Sequence, residues 1–167
     1  MQRRHVLAAL GAALPVGMLS MRLGAYTREE KDYWKSVLDA DAYRILVEEG
    51  TERAGSSPLN AEKRAGTYTC AACFLPLFDA GTKYESGTGW PSFYDTLPDA
   101  VATKRDFKLI IPRTEYHCAR CGGHQGHVFE DGPEPTGLRY CNNGLALHFV
   151  PEGESLPDAR LPDGAAA

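Results

Sequence analysis

Cysteine is scarce in this chain of 167 residues, and the five present are an odd number. Two disulfides, or one closed four-thiolate metal site, would leave one thiol without a structural duty. A basic excess is also missing, with 18 Lys and Arg against 22 Asp and Glu and a net charge of −4. Nucleic-acid binding depends on phosphate neutralisation, so that balance argues against a nucleic-acid partner. Acidic residues are absent from the first 25 positions, so the remainder is more acidic than the whole. The length suits one domain with a real core rather than two.

What is plentiful is turn and strand chemistry. Seventeen glycines, eleven prolines, eight tyrosines and six phenylalanines favour a β-rich, turn-rich fold over a helix bundle. Residues 1–25 read as an export signal, with Arg3-Arg4 followed by an apolar run that is short for a membrane span and interrupted by Gly11, Pro15 and Gly17. The paired arginines resemble a twin-arginine signal, which implies a periplasmic protein exported already folded. An ordinary secretory signal or an uncleaved membrane anchor is the alternative. A domain over 26–155 and a flexible tail over 156–167 complete the expected organisation.

From Thr27 to Gly50, Tyr33, Trp34, Val37, Leu38, Tyr43, Leu46 and Val47 recur at helical spacing, giving one or two amphipathic helices packed on a β-body. Thr27 and Glu30 form a capping-box signature, Asp39 and Asp41 divide the run, and Gly50 is the expected stop. Trp34 and Tyr43 are read as core. Residues 51–60 read as a loop.

Four cysteines fall into two Cys-x-x-Cys pairs, Cys70/Cys73 and Cys118/Cys121, each expected at the turn of a hairpin. That spacing suits a structural zinc ion held by four thiolates. Two disulfides are the rival in an exported protein, iron bound by the same sulfurs stays open, and His117 could replace one thiolate.

The leftover thiol is Cys141, in Arg139-Tyr140-Cys141-Asn142-Asn143, at the start of a strand expected over Leu138 to Val150. A cysteine between an arginine and an asparagine, with His124 and His127 elsewhere in the chain, is a candidate nucleophile. If Gln125 to Phe129 is a strand, His127 and Phe129 share a face and His124 lies at the bend. A lone histidine is usually structural, but two beside a glycine raise the acid/base reading to an even one. Trp90, in the glycine-rich Ser86–Phe93 stretch, reads by itself as core.

These motifs together resemble the B-type methionine sulfoxide reductases. The resemblance runs from about Trp34 to Val150 and rests on the two Cys-x-x-Cys pairs, Lys83-Tyr84-Glu85-Ser86-Gly87-Thr88-Gly89-Trp90-Pro91-Ser92-Phe93, Gly126-His127-Val128-Phe129, Asp131-Gly132-Pro133 and Arg139-Tyr140-Cys141-x-Asn143. It implies a mainly β fold of two antiparallel sheets with short N-terminal helices and a four-cysteine zinc site at the end away from the active site. It also implies catalysis at Cys141, with His127 and His124 as proton donors, Asn143 orienting polar groups, Arg139 supporting a thiolate, and Trp90 and Phe129 binding substrate. The substrate implied is methionine R-sulfoxide in proteins, and the partner an external, thioredoxin-like thiol acting on a monomer.

Two positions depart from the family pattern. Many members carry a recycling cysteine within the segment that reads Ser86-Gly87-Thr88-Gly89-Trp90 here, where position 88 is threonine, and Gly144 follows Asn143 where serine is more usual. With no sixth cysteine in the chain, the first removes intramolecular recycling unless one of the four metal-site cysteines is sacrificed. Two rival functions remain, a zinc-ribbon-like binding module with an inert Cys141, and a thiol peroxidase or redox sensor that would not need Trp90 and paired histidines.

Overall fold

The computed structural model describes residues 26–107 and 112–162, so the export signal expected over 1–25 lies outside the described residues. No helix among the described residues is long and apolar enough to cross a membrane.

Two short helices open the structure, α1 (Arg28–Val37) and α2 (Ala40–Leu46). Both directions of the Thr27/Glu30 capping box form, and Asp39 caps α2 by accepting from the Ala42 N–H, so the aspartate that divides the run also starts its second half. The helix ends at Leu46, four residues ahead of the expected stop at Gly50, and Glu49 rather than a glycine takes the left-handed turn at φ 54°. Trp34 is buried in the core, with Tyr43 packed against it.

The body is two antiparallel sheets, as the family resemblance implied. The smaller has the order β2-β1-β9, from β1 (Gly66–Cys70), β2 (Pro76–Asp79) and β9 (Leu147–Pro151). The larger has the order β3-β4-β8-β7-β6-β5, from β3 (Lys83–Tyr84), β4 (Ser92–Phe93), β5 (Val101–Asp106), β6 (Arg113–Cys118), β7 (His124–Phe129) and β8 (Arg139–Asn142). Tyr68, Phe78, Phe93 and Tyr116 meet in the core, with Phe78 and Phe93 stacked at 4.1 Å.

One expected element is corrected. Leu138 to Val150 is not a single strand, because a 3-10 turn at Gly144–Ala146 separates β8 from β9 and sends them to different sheets. The Glu52 carboxylate accepts the N–H groups of Gly144 and Leu145, which removes them from any ladder. Within the segment 156–167 expected as a flexible tail, the Arg160 guanidinium donates to the Ala71 and Ala72 carbonyls and lies over the Phe74 ring.

Candidate active site and metal centre

The two Cys-x-x-Cys pairs occupy the β1–β2 and β6–β7 turns, as expected. Their second halves need left-handed backbone, supplied by Gly122 at φ 77° in one and by Phe74 at φ 59° in the other. The four sulfurs are buried and lie within 4.8 Å of one another. Cys70–Cys121 and Cys73–Cys118 are 3.7 and 3.5 Å apart. Disulfide sulfurs would be about 2.05 Å apart, which sets aside the disulfide alternative. A tetrahedron of Zn–S bonds of about 2.3 Å has edges of about 3.8 Å, close to what is seen.

Donor chemistry agrees with the spacing. Burial first, and then the neighbouring sulfurs, push the Cys70 thiol up, while hydrogen bonds from the same sulfurs hold Cys73 down, so the group does not ionise together without a cation. The Gln125 side-chain amide and the Gly123 N–H point at the Cys70 and Cys121 sulfurs, both at 3.4 Å. The cluster fits a metal site, and His117 is not needed in it.

A separate cavity of about 130 Å³ is lined by Thr51, Trp90, Arg113, Gly126, His127, Phe129, Cys141, Asn142 and Asn143. None of the four clustered cysteines lines it. Cys141 sits on β8 between two neighbours, paired with Ser92 of β4 and with His127 of β7. Paired residues of adjacent strands point to the same face, so this register brings His127 beside the thiol. The approach depends on Gly126, since a Cβ there would stand 1.9 Å from the Cys141 carbonyl oxygen.

His124 reaches the same neighbourhood by a local irregularity. Residues three apart on a regular strand face opposite ways, but Tyr116 pairs with Gly126 and His117 with His124, leaving Gln125 as the extra residue of a bulge. The His124 and His127 rings are 5.6 Å apart. His124 stays buried behind His127, with Nδ1 3.1 Å from a Glu115 oxygen, at ion-pair distance but not aligned as a hydrogen bond.

The chain matches a family model described as the SelR domain over residues 38–151. It belongs to that family. It is 52% identical over 129 residues to a peptide methionine sulfoxide reductase MsrB of Methanosarcina mazei, an alignment covering 77% of this chain and 91% of the relative. Similar proteins of the same description occur in Pseudomonas putida, 52% identical over 71% of this chain and 90% of the relative, and in Leptospira interrogans, 52% identical over 71% and 92%.

Against this SelR framework the individual side chains can be placed. Trp90 lines the cavity rather than the core, its indole N–H donating to the Glu52 carbonyl at 3.2 Å. Both ends of the Asn143 amide are already engaged, Oδ1 accepting from the Glu52 N–H at 3.0 Å and Nδ2 donating to the Gln125 carbonyl at 2.9 Å. Asn143 thus braces the wall of the cavity. Arg139 makes a two-bond pair with Asp131, both at 2.8 Å, and lies over the Phe129 ring.

The support expected from Arg139 for a Cys141 thiolate acts against burial. Burial pushes the thiol up, and a hydrogen bond from Thr88 and the charge of Arg139 oppose it without winning. His127 moves the other way, lowered first by burial, with the Asp106 hydrogen bond partly restoring it. The two shifts run in opposite directions, the thiol upward and the imidazole downward.

Asp106 and Arg113 escaped the sequence reading. The Asp106 carboxylate lies 2.7 Å from His127 Nε2 and also receives Arg113 at 2.6 Å. Only the β5–β6–β7 register joins them, and no local motif in the chain marks Asp106.

Proposed function

We propose that this chain reduces methionine R-sulfoxide in proteins to methionine, with Cys141 as the nucleophile. The single observation that carries the reading is the pairing of Cys141 with His127 across β7 and β8, inside a cavity walled by Trp90 and Phe129. A cavity of about 130 Å³ suits a methylsulfinyl group rather than a larger head.

The chemistry follows from these parts. Cys141 starts as a thiol, and its proton passes to His127 as the sulfur attacks the sulfoxide. His127 then returns the proton to the departing oxygen. In the balance the oxygen moves from the methionine sulfur to the Cys141 sulfur, the substrate gains an electron pair, and the thiol proton ends on the sulfenic acid. Trp90 and Phe129 offer apolar faces to the methyl group. Asp106 fixes which imidazole nitrogen is engaged, and His124, held by Glu115, backs the ring.

Recycling uses an external, thioredoxin-like thiol. It attacks the sulfenic acid to give a mixed disulfide and water, and a second thiol frees Cys141. The absence of a sixth cysteine supports this route. Zinc is the ion proposed for Cys70, Cys73, Cys118 and Cys121, where it would cross-link the two sheets' turns and contribute folding free energy. An exported, periplasmic site of action rests on Arg3-Arg4 and the apolar run after it.

Turnover by purified protein with a chemical thiol tests the reading. Peptide methionine R-sulfoxide should be reduced, the S epimer hardly at all, and Cys141→Ser should abolish the activity while leaving metal content unchanged. Equal rates on both epimers, or an active Cys141→Ser, would defeat it.

A further inference from the structure

Glu52 is a buried carboxylate, 4% exposed, that the reaction itself does not use. It belongs to the loop after α2, far in sequence from everything it touches. Its N–H donates to Asn143 Oδ1 at 3.0 Å, and its carbonyl accepts the Trp90 indole N–H at 3.2 Å. Its carboxylate accepts the Gly144 N–H at 2.5 Å and the Leu145 N–H at 3.2 Å. One residue therefore holds two walls of the cavity and the turn on which the second is mounted.

We propose that Glu52 is the positioning residue that sets the Trp90 and Asn143 walls of the Cys141 cavity relative to each other. This rests on the function proposed above. The carboxylate anchors the residue to the start of the 3-10 turn, and that anchor fixes the peptide groups on either side of it, which are the ones Trp90 and Asn143 use. The rest of the loop follows the same course, since Gly55 N–H and the Asn60 amide both donate to the Gly89 carbonyl, next to Trp90. A side chain with the same length but no charge cannot do this. In Glu52→Gln the amide NH₂ would face a backbone N–H, a donor against a donor.

The variant Glu52→Gln tests the idea in the full chain. Expected are a loss of kcat/KM for R-sulfoxide on the order of 10- to 100-fold, typical of a displaced positioning group, and a rise in KM. Alkylation of Cys141 by a small reagent should stay near the wild-type rate. In a ¹⁵N-resolved NMR spectrum the Trp90 indole N–H should shift while that of Trp34, in the core, stays put. A residue of merely structural importance would lower the melting temperature and leave kcat/KM of the folded enzyme and the Trp90 signal unchanged, which would overturn the proposal. Should Glu52→Gln fail to fold, Leu145→Pro, which removes one of the two N–H groups at a partly exposed position, must show the same Trp90 shift or the proposal falls. The indole readout needs no turnover, so an error in the proposed function would be seen separately, as an inactive wild type.

Discussion

Thr88 Oγ1 stands 3.9 Å from Cys141 Sγ, so a hydroxyl of the glycine-rich loop is already in contact with the proposed nucleophile. Thr88 is joined to Ser86 at 2.9 Å and Ser86 to Ser92 at 2.7 Å, a set of hydroxyls that can hydrogen-bond but cannot exchange with a sulfenic acid. A sulfur at position 88 would need to move about 2 Å to reach a disulfide bond length. The glycines on either side, 87 and 89, both sit at positive φ and give the loop that freedom.

Thr88→Cys is therefore expected to convert the recycling route. After one equivalent of R-sulfoxide without reductant, the variant should carry a disulfide between position 88 and Cys141, found by peptide mapping, where the wild type carries none.

The pH profile should be broad. The productive state holds one proton between Cys141 and His127, so kcat/KM falls on the acid side as both become protonated and on the alkaline side as both lose theirs. With His127 lowered and Cys141 raised, the limbs should lie below about 6.5 and above about 9.0, the ordinary values. Asp106→Asn removes a contact that raises His127, so its acid limb should move to lower pH. His127→Ala should slow the chemical step by about 10²–10⁴-fold in single-turnover assays.

How much of this was legible in the sequence depends on whether the signal is local. Cys70/Cys73 and Cys118/Cys121 announce themselves, because a turn that presents two thiolates is encoded within a few residues. The helix caps at Thr27 and Asp39 are local in the same way. The break at Gly144 was not visible, since Leu145, Leu147 and Phe149 continue the alternation of a strand, and the interruption comes from Glu52 across the fold. Asp106 and Glu52 were missed for that reason. Trp90 could be assigned to the pocket only through the family resemblance, because a large aromatic beside glycines is equally compatible with a core.

Gly144 has a physical reason that the sequence alone did not supply. A Cβ there would stand 1.9 Å from Ser57 Oγ and 2.5 Å from Ser57 Cβ. Gly144→Ser should lower thermal stability by about 1–3 kcal/mol, the usual cost of overpacking, and depress kcat/KM by disturbing Asn143. Adding Ser57→Gly should recover much of both.

Metal removal should separate the two groups of cysteines. Cys118→Ser or chelation is expected to release the ion and destabilise the fold strongly, since structural zinc contributes about 10–16 kcal/mol in small domains. Cys141→Ser should keep a full complement of metal by elemental analysis. Loss of metal from Cys141→Ser would join the two sites that the sulfur positions separate.

In the proposed reaction Cys141 takes the oxygen and then waits for an outside thiol. This is tested by intact-protein and peptide mass spectrometry of wild type after one equivalent of methionine R-sulfoxide peptide, with no reductant present. Expected are one methionine released per chain and one added oxygen, located on Cys141 and trapped by a sulfenic-acid reagent, with the metal still bound. An intramolecular disulfide from Cys141 to Cys70, Cys73, Cys118 or Cys121, with release of the metal, would contradict it.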